Sequence, residues 1–207
     1  MRKLTVAAFL SLDGVIQGPG GPGEDIEGGF AYCGWMVPYA DEAFGAEIDE
    51  LFARPFDLLL GRKTYDIFAC YWPNAKVEGQ DSKIADLFNN ATKHVATHRP
   101  ETLAWQNSRA LGQDVVEALR ALKRTDGPDL LTQGSSDLVH QLLAADLVDE
   151  LRLMVFRVVL GKGKRLFDAG SRAAAFRLES SSVTPGGIVI SRYAREGEVR
   201  TGSFATA

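Results

Sequence analysis

Residues 56–68 read Phe-Asp-Leu-Leu-Leu-Gly-Arg-Lys-Thr-Tyr-Asp-Ile-Phe. The run 56–60, apolar but for Asp57, reads as a strand. Gly61 breaks it, and a short helix is predicted over 63–68. This strand–turn–helix unit recurs downstream: helix over 84–89, strand over 94–97, helix over 115–122, strand over 129–132 and helix over 138–144. Upstream, the almost wholly apolar run 4–10 fits a strand buried on both faces, ended by Asp13-Gly14. Between these units, Phe44, Ile48, Leu51 and Phe52 recur at helical spacing over 41–52, and Pro55 stops that helix. After about residue 145 the rhythm changes. Residues 150–160 form one long β-rich run, and 176–184 and 188–194 flank the hairpin signal Pro185-Gly186-Gly187. Such a chain predicts one α/β domain over 1–195, with a sheet parallel at its centre and antiparallel at one edge. A polar tail over 196–207 is expected to fray.

The 207 residues are 45% hydrophobic and 24% charged, enough to build a sizeable core and too apolar for disorder. No run of about 18 apolar residues exists to span a membrane. With 23 basic against 27 acidic residues the net charge is −4, the wrong sign for neutralising several backbone phosphates, so nucleic acid is not expected as a partner. Cys33 and Cys70 form no CxxC pair and read as reduced thiols of a cytoplasmic protein. The short apolar stretch at the N-terminus fails as a signal peptide.

Several motif matches lack their chemistry. Gly18-Pro19-Gly20-Gly21-Pro22-Gly23 satisfies G-x-G-x-x-G, yet Glu24, Asp25, Glu27 and more glycine follow where a helix would have to begin. The stretch 18–29 reads instead as a mobile, glycine-rich lid with no packing face. His94 and His98 would lie about 13 Å apart on a strand, too far to share an ion, so no metal site is expected. No HExxH, GxSxG or Walker A pattern occurs.

Three predicted strand ends carry anion-suited residues. The first is Gly61-Arg62-Lys63-Thr64, a helix N-terminus with a hydroxyl and two cations. The second is Gln133-Gly134-Ser135-Ser136, where small residues and hydroxyls precede another helix. The third is Thr97-His98-Arg99. Ligands of open α/β sheets bind outside the carboxyl ends of the strands, so three such ends point to one extended ligand with several phosphates. Each end alone also reads as an ordinary helix cap or surface turn.

Four segments, Ser11-Leu12-Asp13-Gly14-Val15-Ile16, Leu60-Gly61-Arg62-Lys63-Thr64-Tyr65, Gly134-Ser135-Ser136-Asp137-Leu138 and 160–167 (LGKGKRLF), occur in that order. In this succession the chain resembles the dihydrofolate-reductase-like proteins related to the C-terminal reductase domain of bacterial riboflavin biosynthesis. The resemblance covers residues 3–195 and implies a three-layer α/β/α sandwich that binds NADPH. It places Gly61, Arg62, Lys63 and Thr64 at the first phosphate-binding turn, and Thr97, His98 and Arg99 at the adenosine ribose and its 2′-phosphate. Gly134, Ser135 and Ser136 fall under the pyrophosphate, with Ser135 where the reductases proper usually carry a second glycine. Asp13, Gly14 and Ile16 fall near the nicotinamide. An Arg at the 97–99 strand end, rather than an acid, suits the 2′-phosphate.

The position matching the helix carboxylate of dihydrofolate reductases falls at or near Gly45, so folate is not the expected substrate. Asp13 is the acid tied to the implied active-site segment, and as a buried carboxyl with a raised pKa it could donate a proton; it also suits a plain Asp-Gly turn. Trp35, Tyr39, Phe44, Ile48 and Phe156 could line a pocket for a flat heterocycle or simply form core. Two functions follow. One is an NADPH-dependent reductase delivering hydride to a small heterocyclic substrate such as a pterin, pyrimidine or flavin-like ring. The other is an NADP(H)-binding sensor or assembly protein without turnover. An apolar edge strand over 151–160 could pair in a homodimer.

Overall fold

The computed structural model describes residues 1–75 and 80–204. In chain order the elements are β1 (Leu4–Ser11), α1 (Glu42–Leu51), β2 (Phe56–Gly61), α2 (Arg62–Tyr71), α3 (Gln80–Asn90), β3 (Lys93–Ala96) and β4 (Ser108–Ala110). There follow α4 (Val115–Lys123), β5 (Asp129–Thr132), α5 (Ser136–Ala144), β6 (Glu150–Phe156), β7 (Ala175–Val183) and β8 (Val189–Gly197). The eight strands form one sheet in the order β4-β3-β2-β5-β1-β6-β8-β7. Pairing is parallel from β4 through β6 and antiparallel for β6–β8 and β8–β7. The parallel centre and antiparallel C-terminal hairpin stand as read from the sequence.

Successive residues of the central strands point to opposite faces, and each face carries its own core. On one, Leu58, Leu60, Val95 and Leu131 pack with Phe44 and Ile48 of α1, Tyr65 of α2 and Phe88 of α3. On the other, Leu4, Val6, Leu59 and Leu130 pack with Leu119 of α4 and Leu138 and Leu142 of α5. The molecule is therefore a three-layer α/β/α sandwich. The near-continuous apolar runs of β1 and β2 are what burial on both faces requires.

Four expectations need correction. The run 150–160 ends as a strand at Phe156, because the Val158 amide turns back to the Phe156 carbonyl at 2.8 Å and the Leu12 amide takes the Val158 carbonyl at 2.7 Å. β6 is not an edge: it lies between β1 and β8, and the free edges are β4 and β7. The strand over 188–194 extends to Gly197, which pairs with Ala175. The glycine-rich stretch 18–29 does pack. Gln17 donates through Nε2 to the carbonyls of Asp25 and Glu27, both at 3.0 Å, and the Trp35 indole donates to the Gln17 carbonyl at 2.9 Å.

A cleft at the carboxyl rim of the sheet

β3, β2, β5 and β1 are neighbours and parallel, so their carboxyl ends share one rim. The turns after β2 and β5 touch. The Gly61 amide donates to the Gly134 carbonyl at 3.2 Å, and a Cβ on Gly61 would lie 2.1 Å from Ser135 Oγ. Thr132, fully buried, holds the second turn through its hydroxyl, which bonds the Gly134 carbonyl at 3.1 Å and takes the Gly134 amide at 3.3 Å. Gly134 sits at φ +140°, and a Cβ there would come within 2.9 Å of Thr64 Oγ1, so only glycine fits. Ser135 adopts an ordinary φ of −76°, which explains why a second glycine is dispensable; the Gly134–Ser135 peptide is cis.

Two helices open at this rim without a side-chain cap: α2 after Gly61 and α5 after Ser135. On α1 and α4, carboxylates do that work. Asp41 caps α1 through the Phe44 amide, and Asp114 caps α4 through the Glu117 amide. The first-turn amides of α2 and α5 are thus available to an anion, and both helix dipoles favour negative charge there.

Between these turns, the end of β1 and the loop after it lies a cleft of about 100 Å³. Lys63 and Thr64 line it from α2, Gly134 to Ser136 from the β5 turn, and Ile16 from the segment after β1. Its apolar wall is Phe9, Ile67 and Phe68, and its polar wall is Gln17, Glu24, Asp25 and Lys164. Phe9, Gln17, Glu24, Asp25, Ile67, Phe68 and Lys164 are the residues that motif reading missed. The helical stretch 63–68 carried a signal for Ile67 and Phe68, which stand three and four residues beyond Thr64 on one face.

The other expected residues fall as follows. Arg62 is committed to the protein: Nε and Nη2 pair with Asp66 at 3.0 and 2.8 Å, and Nη1 reaches Thr97 Oγ1 and the Arg99 carbonyl, both at 3.3 Å, as well as Thr102. It braces the loop after β3 against α2. Thr97 is buried, accepting also from the Arg99 amide, while His98 and Arg99 stand exposed at the rim. Gly14, at φ +80°, makes the turn after β1 and accepts from the Leu166 amide at 3.0 Å.

Asp13 does not have the surroundings of a proton donor. Its carboxylate accepts from Ser11 Oγ at 2.6 Å, the Leu160 and Gly161 amides at 3.0 and 2.8 Å, and Arg165 at 3.2 Å. Burial pushes its pKa up, but these four donors outweigh it and hold the carboxyl well below the usual carboxylate range. Trp35, Phe44, Ile48 and Phe156 do not line the cleft. They are buried in the core, where Phe156 meets Phe44 and Trp35 edge-on at 5.4 and 5.6 Å. Tyr39, half-buried, lies under the Arg157 guanidinium. His94 turns away from the rim to Asp57.

The RibD C-terminal domain model matches residues 2–190. Two uncharacterized Bacillus subtilis proteins are related in sequence. YyaP is 25% identical over 166 residues, 80% of each chain, and YwjB is 23% identical over 181 residues, 87% of this chain and 91% of its own. Among solved structures, a candidate riboflavin biosynthesis protein from Shewanella sp. PV-4 superposes with a TM-score of 0.60 at 20% identity, covering 94% of this chain and 99% of its own. A pyrimidine reductase-like protein from Corynebacterium diphtheriae gives 0.59 at 14% identity, covering 95% and 93%. At these identities the structures speak to the fold alone, while the domain match spans almost the whole chain: the protein belongs to the RibD C-terminal domain family.

Proposed function

We propose that the protein is an NADPH-dependent reductase acting on a small flat heterocycle. The observation that carries the reading is the pair of uncapped helix N-termini, α2 and α5, at adjacent strand ends that only glycine lets approach so closely. That cradle suits a pyrophosphate. Thr64, Ser135 and Ser136 would add hydroxyl contacts and Lys63 a cation. Arg99, exposed beside the buried Thr97, is left to meet a 2′-phosphate, because Arg62 is already satisfied within the protein. When bound, the nicotinamide supplies the hydride. Phe9, Ile67 and Phe68 provide an apolar wall against which a flat ring packs and from which water is excluded.

Fluorescence titration tests this. NADPH is expected to bind more tightly than NADH, and Arg99→Ala should erase most of the difference. Arg62→Ala should weaken both nucleotides, by loosening the loop after β3. Absence of NADPH binding would sink the proposal. Gly45 on α1, where a substrate-holding carboxylate would be expected, favours a second reading: a nucleotide-binding protein without turnover. Tight NADPH binding with no oxidation by any of a panel of pterins, pyrimidines, flavins and quinones would select it.

A further inference from the structure

Reduction of a double bond by a hydride consumes a proton too, and neither Gly45 nor the clamped Asp13 can deliver one. Two other acids stand side by side on the cleft wall, Glu24 and Asp25, in opposite surroundings. Asp25 is 7% exposed and ringed by donors: Lys164 Nζ at 2.8 Å, the Glu27 amide at 3.2 Å, and Lys63 Nζ at 3.6 Å. Burial raises its pKa, but Lys164, the Glu27 amide and the charge of Lys63 overcome that, and Asp25 is held ionised. Glu24 pairs with no cation among the described residues. Its Oε2 accepts from the amides of Gly20 and Gly21 at 2.5 and 3.2 Å, and Oε1 has no hydrogen-bond partner among the described residues. Burial raises the Glu24 pKa against the two amides, and the neighbouring Asp25 charge adds to the rise. Two carboxyls of one cleft driven apart in this way divide the roles of acid and ion.

We propose that Glu24 is the proton donor of the cleft, with Oε1 as the atom that carries and releases the proton. The inference rests on the reductase reading. As hydride from the reduced nicotinamide adds to the substrate carbon, the Glu24 O–H bond breaks. The π electron pair of the substrate double bond takes that proton at the adjoining atom. The products are oxidised nicotinamide, a substrate reduced by two electrons, and a Glu24 carboxylate that regains its proton from solvent. The other charged groups of the wall, Asp25, Lys63 and Lys164, are paired with one another and Lys164 also with Glu27, so they keep their charges through the cycle while Glu24 changes its own.

The whole protein tests this in three readouts. Carboxyl-¹³C NMR of glutamate-labelled protein, with the Glu24 signal identified by its absence in Glu24→Gln, should titrate above the ordinary glutamate range. The NADPH dissociation constant of Glu24→Gln should stay within twofold of the parent, since glutamine still accepts from Gly20 and Gly21. Single-turnover NADPH oxidation with 7,8-dihydropterin as probe should slow at least 100-fold in Glu24→Gln, the usual weight of a general acid, and lose the fall in rate toward high pH. Acetic acid should restore part of the rate to Glu24→Ala. A rate within threefold of the parent overturns the proposal, as does a carboxyl midpoint at or below the ordinary value. A loss of NADPH affinity matching the loss of rate would make Glu24 a structural staple of its loop and overturn it too. If the parent binds NADPH but reduces no dihydropterin, Glu24 donates no proton in this reaction and the proposal falls, while the wider panel of acceptors decides between the reductase and nucleotide-binding readings. If it binds no NADPH, the reductase reading itself fails.

Discussion

Asp13 shows how one side chain can look catalytic and be architectural. It follows β1 at the carboxyl rim, where an acid could serve chemistry, yet its two oxygens are spent on Ser11, the amides of Leu160 and Gly161, and Arg165. It ties the turn after β1 to the loop after β6. Asp13→Ala leaves two amides and a guanidinium without their acceptor; hydrogen bonds to a charged group are each worth about 1.5–3 kcal/mol. We expect a loss of about 2 kcal/mol, or roughly 4–8 °C in melting temperature, with NADPH affinity nearly unchanged. The sign with pH follows from the depressed pKa: the contribution is complete above the unfolded value near ~3.9 and is lost as acid protonates the native carboxylate. Calorimetry near neutral pH, and again close to pH 3 where the gap between variant and parent should already have narrowed, checks both statements. The phosphate-suited residues were legible because glycine, hydroxyls and cations at a strand end have a local signature. Phe44, Ile48 and Phe156 were ambiguous, because helical or strand spacing says that a residue is buried and not whether a cleft or a core receives it.

At the scale of elements, strands and helices with strong periodicity were readable almost residue by residue, as for β5 at Asp129–Thr132. β4 was not. Its three residues, Ser108–Ala110, are a half-buried serine and two exposed neighbours, so no apolar alternation announces it. The packing of the loop after β1 is hidden from the sequence for another reason. Its glycines offer no packing face of their own, and its contacts come from partners far away in the chain, above all Lys164, which pairs with Asp25 at 2.8 Å and Glu27 at 2.6 Å. A cleft of about 100 Å³ is well below the ~300–1,000 Å³ of typical ligand pockets, so under the proposed function this loop would have to shift for a dinucleotide to settle. The Lys164 tie is then the contact that would have to give. Lys164→Met removes it and leaves the Asp25 carboxylate with the Glu27 amide and Lys63. Amide exchange across residues 18–27 should then speed at least tenfold while the sheet keeps its protection, as expected of a local opening. Unchanged protection in that loop would mean that Gln17 and Trp35 hold it unaided.

Across the whole molecule, two polar groupings sit at opposite ends of the sheet. The carboxyl ends carry the anion-suited turns, and the amino ends carry a buried ionic cluster that joins four chain segments. Arg2, ahead of β1, pairs with Asp57 of β2 at 2.5 Å and also donates to the Pro128 carbonyl ahead of β5; His94 of β3 meets the same Asp57 oxygen at 3.2 Å. All three residues are less than a tenth exposed overall. Burial lowers the His94 pKa despite the pull of Asp57, and the charges of Arg2 and Arg109 lower it further. The native protein therefore binds this proton less readily than the unfolded chain, whose histidine titrates near ~6.5. Stability must rise with pH through that region and fall on acidification, from neutral pH toward the lowered native value. His94→Gln keeps a neutral donor against Asp57 and removes the titration. We expect the parent to lose several degrees of melting temperature between pH 7.5 and 5.5, and the variant to lose much less. NADPH affinity at pH 7.5 should be the same in both, since the cluster lies at the far end of the strands. Equal pH slopes in the two proteins would show that the acid sensitivity arises elsewhere, and an altered affinity would show that the two ends of the sheet are coupled.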